Sequence, residues 1–475
     1  MLLRLNEISD KEFETMHDAI LDFLWDYGVL FEDDEAVDLL KKAGNSDSRD
    51  GRIHLKPDFV ESMISLIPRN GFTMYGRDGT KKLNVAPGNI AFRPSTGAPF
   101  VLDYETGARR NATVEDARNL TLLTDALDGY NMVHSIVSPF DTPGGAENIL
   151  MFVNSHRYSM KPSDITVMTA EEVRAIGEIS QAIRGDVDKL RKMPLTAVDI
   201  AMISPLRCAG DQARAFLECA EWGMPVEVLT SPVMGMTAPV TVAGSVMVAM
   251  ADFFAALCLI YLVNPGLGVI NTTRISPTNM HTTAYNYGAP ELGIGSVVTT
   301  AVCERYNIPT NLYGFGTNAK KTGEQAELEK TTSALLLSLS NGVHMVTGGG
   351  ILDDALTTSA EQLVIDNESI RYIKRVLKPV DIDMESIGAD IIREGMENYG
   401  CLIGEEHTLK YVREGELMDC GLNQWDSYQG WEEKGKPDLY ELAHKRVEKI
   451  MATHTVDDFP PDVREKINRI MGAFI

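Results

Sequence analysis

The run Thr230-Ser231-Pro232-Val233-Met234-Gly235-Met236-Thr237-Ala238-Pro239 stands between an apolar stretch at 224–229 and a long apolar segment at 242–263. A turn of Gly, Pro and hydroxyl residues between a buried strand and a helix is where α/β enzymes hold their ligands. Familiar catalytic sets do not occur elsewhere. The nine histidines include no His-Glu-x-x-His and no close His/Cys cluster, so no metal site is expected. Gly314-Phe315-Gly316 lacks the third glycine of a dinucleotide loop, and 316–323 has neither the spacing nor the Gly-Lys-Ser/Thr ending of a phosphate loop. No Gly-x-Ser-x-Gly elbow appears, and no pattern marks a nucleophilic serine or cysteine. Gly348-Gly349-Gly350 offers amide donors to an anion or, more simply, a tight strand-to-helix turn.

At 475 residues the chain can form one large barrel-type domain with embellishments, or two or three smaller ones. Its 44 basic and 68 acidic side chains leave a net charge of −24, a field that repels phosphate backbones and anionic membrane surfaces. Nucleic acid and membrane are therefore not expected partners. The six cysteines (Cys208, Cys219, Cys258, Cys303, Cys401, Cys420) form no Cys-x-x-Cys pair and read as reduced thiols of a cytoplasmic protein. Met1-Leu2-Leu3-Arg4-Leu5-Asn6-Glu7 becomes acidic at once and lacks the apolar core of a signal peptide. Segment 242–263 carries one charge, Asp252, and could span a bilayer by length. Lying mid-chain without a basic flank, it reads instead as a helix packed on both faces, against the strands and a second subunit, which favours a homo-oligomer.

The elements that would position a site fall into three parts. Residues 1–70 read as a helical extension: an amphipathic helix over 13–27 ended by Gly28, a second capped by Asp33 or Asp34 and closed by Gly44, and a third opening at Lys56-Pro57. Residues 71–110 read as a small β-hairpin cap. From 111 to 475 strands and helices alternate, with apolar strand-like runs at 132–137, 164–168, 195–203, 225–229, 268–271, 310–313 and 343–347. Helical stretches at 114–127, 171–183, 211–222 and 322–337 lie between them. Such units argue for parallel strands with helical crossovers. An eightfold barrel is the natural closure, its last strand near 400–404, and a doubly wound sheet is the alternative.

The turn at 230–239 also resembles the trimethylamine methyltransferase (MttB) superfamily. Further matching pieces are Asp26-Tyr27-Gly28-Val29-Leu30-Phe31-Glu32-Asp33-Asp34, Thr96-Gly97-Ala98-Pro99-Phe100-Val101, Ser204-Pro205-Leu206-Arg207, Leu262-Val263-Asn264-Pro265-Gly266, Glu361-Gln362-Leu363-Val364 and Gly404-Glu405-Glu406-His407-Thr408-Leu409. Their order across most of the chain carries the resemblance. It implies an α/β fold, a TIM (β/α)8 barrel with an N-terminal helical segment and a small β-hairpin cap. It also implies methyl transfer from a methylated amine to a corrinoid protein. The founding trimethylamine enzymes carry pyrrolysine on a barrel strand; the corresponding stretch here is Tyr313-Gly314-Phe315-Gly316-Thr317-Asn318-Ala319-Lys320, with no such residue. In this the chain resembles the betaine demethylases, which use quaternary ammonium substrates, glycine betaine being the first expectation.

A quaternary nitrogen leaves as a neutral amine without protonation, so the protein must position and desolvate its substrate rather than supply a catalytic acid or base. Aromatic faces attract the cation. Tyr313 and Phe315, leaving a strand, and Phe100, in the cap motif, are the candidate cage. His344 and Arg274 are candidate partners of a substrate carboxylate. Asn271 and Thr317, with Thr230, Thr237 and Asn318, would supply neutral donors. Glu406 sits in a family motif, either in the pocket or capping a helix. No tightly bound cofactor is expected: the cobalamin would belong to a separate cognate corrinoid protein, since no Asp-x-His-x-x-Gly motif occurs. The contrasting readings are a non-catalytic quaternary-amine binding protein and a lyase or aldolase using Lys320 or Lys321.

Overall fold

The computed structural model describes residues 8–44, 46–397, 400–419 and 421–474; the 1–7 segment and Cys420 discussed above lie outside the described residues. The helical extension follows its sequence signals. Ser9 Oγ accepts the Glu12 amide while Glu12 Oε2 accepts that of Ser9, a reciprocal cap that starts helix Asp10–Asp26. Asp33 Oδ1 accepts the Ala36 amide and starts Asp34–Lys42, and Pro57 occupies the first turn of Pro57–Ile64.

All three helices pack on the apolar helix Val242–Val263, which also meets helices Gly210–Trp222 and Pro290–Arg305 and strands Val226–Thr230 and Val269–Thr273. Most of this helix is thus buried within one chain. The extension covers the face that the sequence reading gave to a second subunit, so that argument for a homo-oligomer loses its basis. The helix's one charge is also accounted for. Asp252 accepts the Ser204 hydroxyl at 2.6 Å and the Leu206 amide at 2.6 Å, pinning the Ser204-Pro205-Leu206-Arg207 turn.

Seven strands form two parallel sheets. One runs Ser163–Thr166, Thr196–Ala201, Val226–Thr230, Val269–Thr273; the other runs Asn311–Tyr313, Met345–Gly349, Ala91–Pro94. Single parallel bridges continue the order: Asn271 with Thr310, and Val133 with Ser163. The Asn131 amide donates to the Phe92 carbonyl, so residues 131–133 lie beside Ala91–Pro94 as well. Helices Ala170–Arg184, Gly210–Trp222, Val242–Val263, Pro290–Arg305 and Glu324–Ser338 supply return paths between successive strands.

Two expectations change. Residues 400–404 form turn and coil, not a strand, and the remaining place beside Met345–Gly349 is taken by Ala91–Pro94, a segment the sequence reading assigns to the cap. The hairpin Phe72–Tyr75/Lys82–Val85 covers the amino-terminal ends of the strands. Its Met74, Leu83 and Val85 pack with Ala91, Met132, Ala197, Ile270 and Met345, residues at or near strand starts. A second small sheet, Phe100–Leu102, Arg109–Asn111, Ile351–Leu352 and Thr357–Ser359, follows the carboxyl ends of Ala91–Pro94 and Met345–Gly349.

If Asp252 anchors its turn, Asp252→Ala should lower unfolding free energy by about 2–4 kcal/mol, because the buried Leu206 amide and the half-buried Ser204 hydroxyl lose their acceptor. Urea denaturation measures this, and a loss under 1 kcal/mol would assign the turn's stability to other contacts.

Candidate active site

Side chains alternate along a strand, so the residues two positions beyond the apolar floor also point into the shared interior. Above Ala91, Met132, Ala197, Ile270 and Met345 stand Arg93, His134, Asp199, Thr272 and Thr347, joined by Asp164, Glu227 and Asn311 from the other strands. The layer ties the two sheets together. Arg93 Nε lies 3.1 Å from Asp164 Oδ2, both side chains fully buried. Asn311 Nδ2 and the Thr272 hydroxyl donate to Glu227 Oε2 at 2.8 and 2.9 Å, and Thr166 donates to Asp199 Oδ2 at 3.3 Å. Asp164 Oδ1, Asp199 Oδ1, Glu227 Oε1 and His134 Nε2 have no hydrogen-bond partner among the described residues.

Three buried carboxyls close to one another resist ionisation. Burial pushes Asp164 up to about 6 against the pull of Arg93. Burial also raises Asp199, opposed by Arg274 and reinforced by Glu227, and raises Glu227, reinforced by Asp164. His134 is held neutral, first by burial and then by Arg93. Its Nδ1 sits 2.8 Å from the Ser135 carbonyl, which makes Nδ1 the protonated nitrogen and Nε2 a bare acceptor.

Over this layer lies an aromatic series. Tyr285 is exposed, Tyr287 half-buried and Tyr313 buried. The Tyr285 and Tyr287 rings stack with centroids 6.1 Å apart, and Tyr287 and Tyr313 lie at 5.4 Å. Tyr313 Oη is 2.9 Å from Ser95 Oγ. The Arg274 guanidinium stands 5.5 Å from the Tyr313 ring centre, and its Nε has no hydrogen-bond partner among the described residues. Burial weakens the Arg274 charge, but Asp199 leads a set of neighbours that more than restores it. Aromatic faces above carboxylates can hold a cation, and a guanidinium beside them can take an anion.

The tyrosine-bearing loop is held from the 313–320 stretch. Asn318 Oδ1 accepts the Gly288 amide at 2.7 Å, and Asn318 Nδ2 donates to Asp354, which accepts the Tyr287 amide at 3.0 Å. Thr317 is buried, and its hydroxyl donates to Glu329, which also accepts the Asn318 amide. Thr317 therefore positions the loop instead of offering a free donor.

Of the expected site residues, Tyr313 and Arg274 come together; the others lie apart. Phe315 packs edge-on to Phe92 at 6.5 Å with Lys330 Nζ 6.0 Å away, in the layer between strands and helices. Phe100 lies under the Arg109 guanidinium at 3.6 Å and beside Phe140. Asn271 turns outward to Met250 Sδ at 3.6 Å, since it alternates with the inward Ile270 and Thr272. His344 precedes strand Met345–Gly349, at the end opposite Tyr313 and Arg274. Its Nδ1 accepts the Thr310 amide, and burial lowers its pKa to about 4. Neutral and so engaged, it is not placed to meet a carboxylate at the carboxyl ends of the strands. Glu406 is an exposed residue opening helix Glu406–Arg413, beside a surface cavity lined by Glu385, His407 and Lys410. Lys320 is ion-paired with Asp353 and largely exposed, and Lys321 is exposed, which is not the desolvated setting an imine-forming lysine needs.

Sequence reasoning missed Arg93, His134, Asp164, Asp199, Glu227, Asn311, Tyr285 and Tyr287. The available signal was a charge inside an apolar strand run, as at Asp164, Asp199 and Glu227.

The relatives of this chain are methyltransferases. The glycine betaine methyltransferase of Desulfitobacterium hafniense (strain Y51) is 24% identical over 476 residues, covering 100% of this chain and 97% of the relative. The trimethylamine methyltransferase MttB of Methanosarcina barkeri (strain Fusaro / DSM 804) is 25% identical over 479 residues, covering 99% and 95%. The crystal structure of the Methanosarcina barkeri monomethylamine methyltransferase (MtmB) superposes with a TM-score of 0.54 at 11% identity, covering 94% of this chain and 88% of that one, a likeness of fold. The class is thus that of the methyltransferases. Within it, the chain belongs to the trimethylamine methyltransferase (MTTB) family, whose model matches residues 2–473.

A carboxyl whose pKa is raised on folding stabilises the fold fully below its unfolded value and loses that contribution as pH rises through the folded value. Asp164, Asp199 and Glu227 should therefore make the protein lose stability between about pH 4 and 7, the span from ordinary carboxyl values to the raised ones. Melting temperature across this range should fall, and Glu227→Gln should flatten the decline. A melting temperature that climbs steadily over the same range would contradict this electrostatic reading.

Proposed function

We propose that this protein demethylates a small quaternary amine, glycine betaine or a related betaine, and passes the methyl group to the Co(I) corrinoid of a separate protein. The observation that carries the reading is the Tyr285–Tyr287–Tyr313 series beside Arg274, above a buried acidic layer. The tyrosine faces and the carboxyls suit a trialkylammonium head, and Arg274 suits a carboxylate. The carbon–nitrogen bond breaks with its electron pair left on nitrogen. The departing tertiary amine is neutral, so no proton is needed at that atom. The protein's part is to fix the head group, strip its water and aim one methyl toward the acceptor.

The same proposal has the eight parallel segments, from Ala91–Pro94 round to Met345–Gly349, close as a (β/α)8 barrel. Pairing of the first with the last, the Asn271–Thr310 bridge between the sheets and the Val133–Ser163 bridge from the 131–133 segment support it. The substrate would then enter at the carboxyl ends of the strands, where Tyr313 and Arg274 stand and where barrel enzymes place their sites. Buried free thiols at Cys208, Cys219, Cys258 and Cys303 accord with a cytoplasmic setting.

The test is to mix the protein with reduced cob(I)alamin and candidate betaines and follow methylcob(III)alamin absorbance. Methylation is expected; calorimetric binding without methylation by any quaternary amine would favour a binding protein instead. Tyr287→Ala should raise the Michaelis constant roughly five- to thirtyfold, from about 1–2 kcal/mol for a desolvated cation–π contact. Arg274→Ala should lose the preference for betaines over tetramethylammonium, whereas equal losses on both would point to damaged packing.

A further inference from the structure

Asp199 and Glu227 are register partners on adjacent parallel strands, which sets their backbones about 4.8 Å apart with both side chains on the inward face. The groups facing them come from every neighbouring element. Strand Ser163–Thr166 contributes Asp164 and Thr166, Val269–Thr273 contributes Thr272, and Arg274 follows it. Asn311 and Tyr313 come from the next strand, Arg93 from Ala91–Pro94, His134 from the 131–137 segment and Tyr287 from the loop above. Arg93 is engaged with Asp164, and the donors Thr272, Asn311 and Thr166 take one oxygen of each carboxyl. Asp199 Oδ1 and Glu227 Oε1 are left without a hydrogen-bond partner among the described residues. Two carboxyls so placed cannot both ionise cheaply, and a proton shared between them is the ordinary resolution.

We propose that the Asp199–Glu227 pair holds a proton in the free protein and releases it to solvent when an onium head group binds, so that the pair is the counter-ion that selects quaternary ammonium. The inference rests on the proposed quaternary-amine pocket and adds to it a proton stoichiometry and two specificity-determining residues. A zwitterionic ligand would exchange partners with the site: its carboxylate takes Arg274, and its cation takes the carboxyls that Arg274 faced.

Calorimetric titration of tetramethylammonium and of glycine betaine, without any corrinoid partner, tests it from pH 5 to 8. Buffers of different ionisation enthalpy count the protons. Up to one proton should be released per ligand. Affinity should rise roughly tenfold per pH unit while the pair is protonated, then level off, as one-proton linkage requires. Glu227→Gln and Asp199→Asn should each flatten the profile; persistence of the full pH dependence in both folded variants would overturn the assignment. Should either variant fail to fold, the buffer dependence of the unaltered protein decides: measurable binding with no proton release and constant affinity would overturn the proposal while leaving methyl transfer standing. Proton-linked binding without methyl transfer would support the pair and count against the enzyme reading. No binding of either ligand at any pH would defeat both.

Discussion

Everything in the interior answers to one constraint, the cost of keeping charge out of water. A buried ion pays several kcal/mol in lost hydration, and an opposite charge recovers this only with good geometry and further hydrogen bonds. Arg93 meets Asp164 across the junction of the two sheets, and Glu227 draws its donors from the strands on either side. These contacts leave carboxyl oxygens over, and what the layer lacks internally a cation can supply. Below it Met74, Leu83 and Val85 of the 72–85 hairpin pack with Ala91, Met132, Ala197, Ile270 and Met345, which closes the amino-terminal ends of the strands.

The aromatic side of the site is assembled differently. Tyr313 belongs to a strand, whereas Tyr285 and Tyr287 lie on a loop whose backbone pairing is a single antiparallel bridge, Thr278 with Tyr285, and the turn hydrogen bonds around it. Side chains of other segments add to its anchoring: Asn318 on the Gly288 amide, Asp354 on the Tyr287 amide, and Glu329 on Thr317 and Asn318. Residues 317 and 318, which in the sequence look like ligand donors, instead anchor the loop that carries the tyrosines.

Legibility followed the length scale of each signal. Helices that are amphipathic or apolar throughout, and strands in apolar runs, are local patterns and are readable to within a few residues: Gly210–Trp222 and Val242–Val263 are examples. Which end of the strands the hairpin covers is not local, because Met74 and Leu83 would suit an apolar surface anywhere. His344 lies within the 343–347 run of the sequence and Arg274 just beyond the 268–271 run, yet one precedes its strand and the other follows it, and that difference puts them at opposite ends of the strands. The acidic layer was hidden because an apolar run reads as buried throughout, and a lone Asp or Glu within it looks like noise until neighbouring strands bring three together. Ala91–Pro94 does not read as a central strand because it is four residues long and follows a hairpin of similar texture.

The helical extension carries a consequence for biosynthesis. Helix Val242–Val263 is greasy around nearly its whole circumference, and such a segment leaving the ribosome unprotected would seek membranes or its own kind. Here the sheltering helices Asp10–Asp26, Asp34–Lys42 and Pro57–Ile64 are translated some two hundred residues earlier. Chain order therefore makes the shelter before the surface it protects.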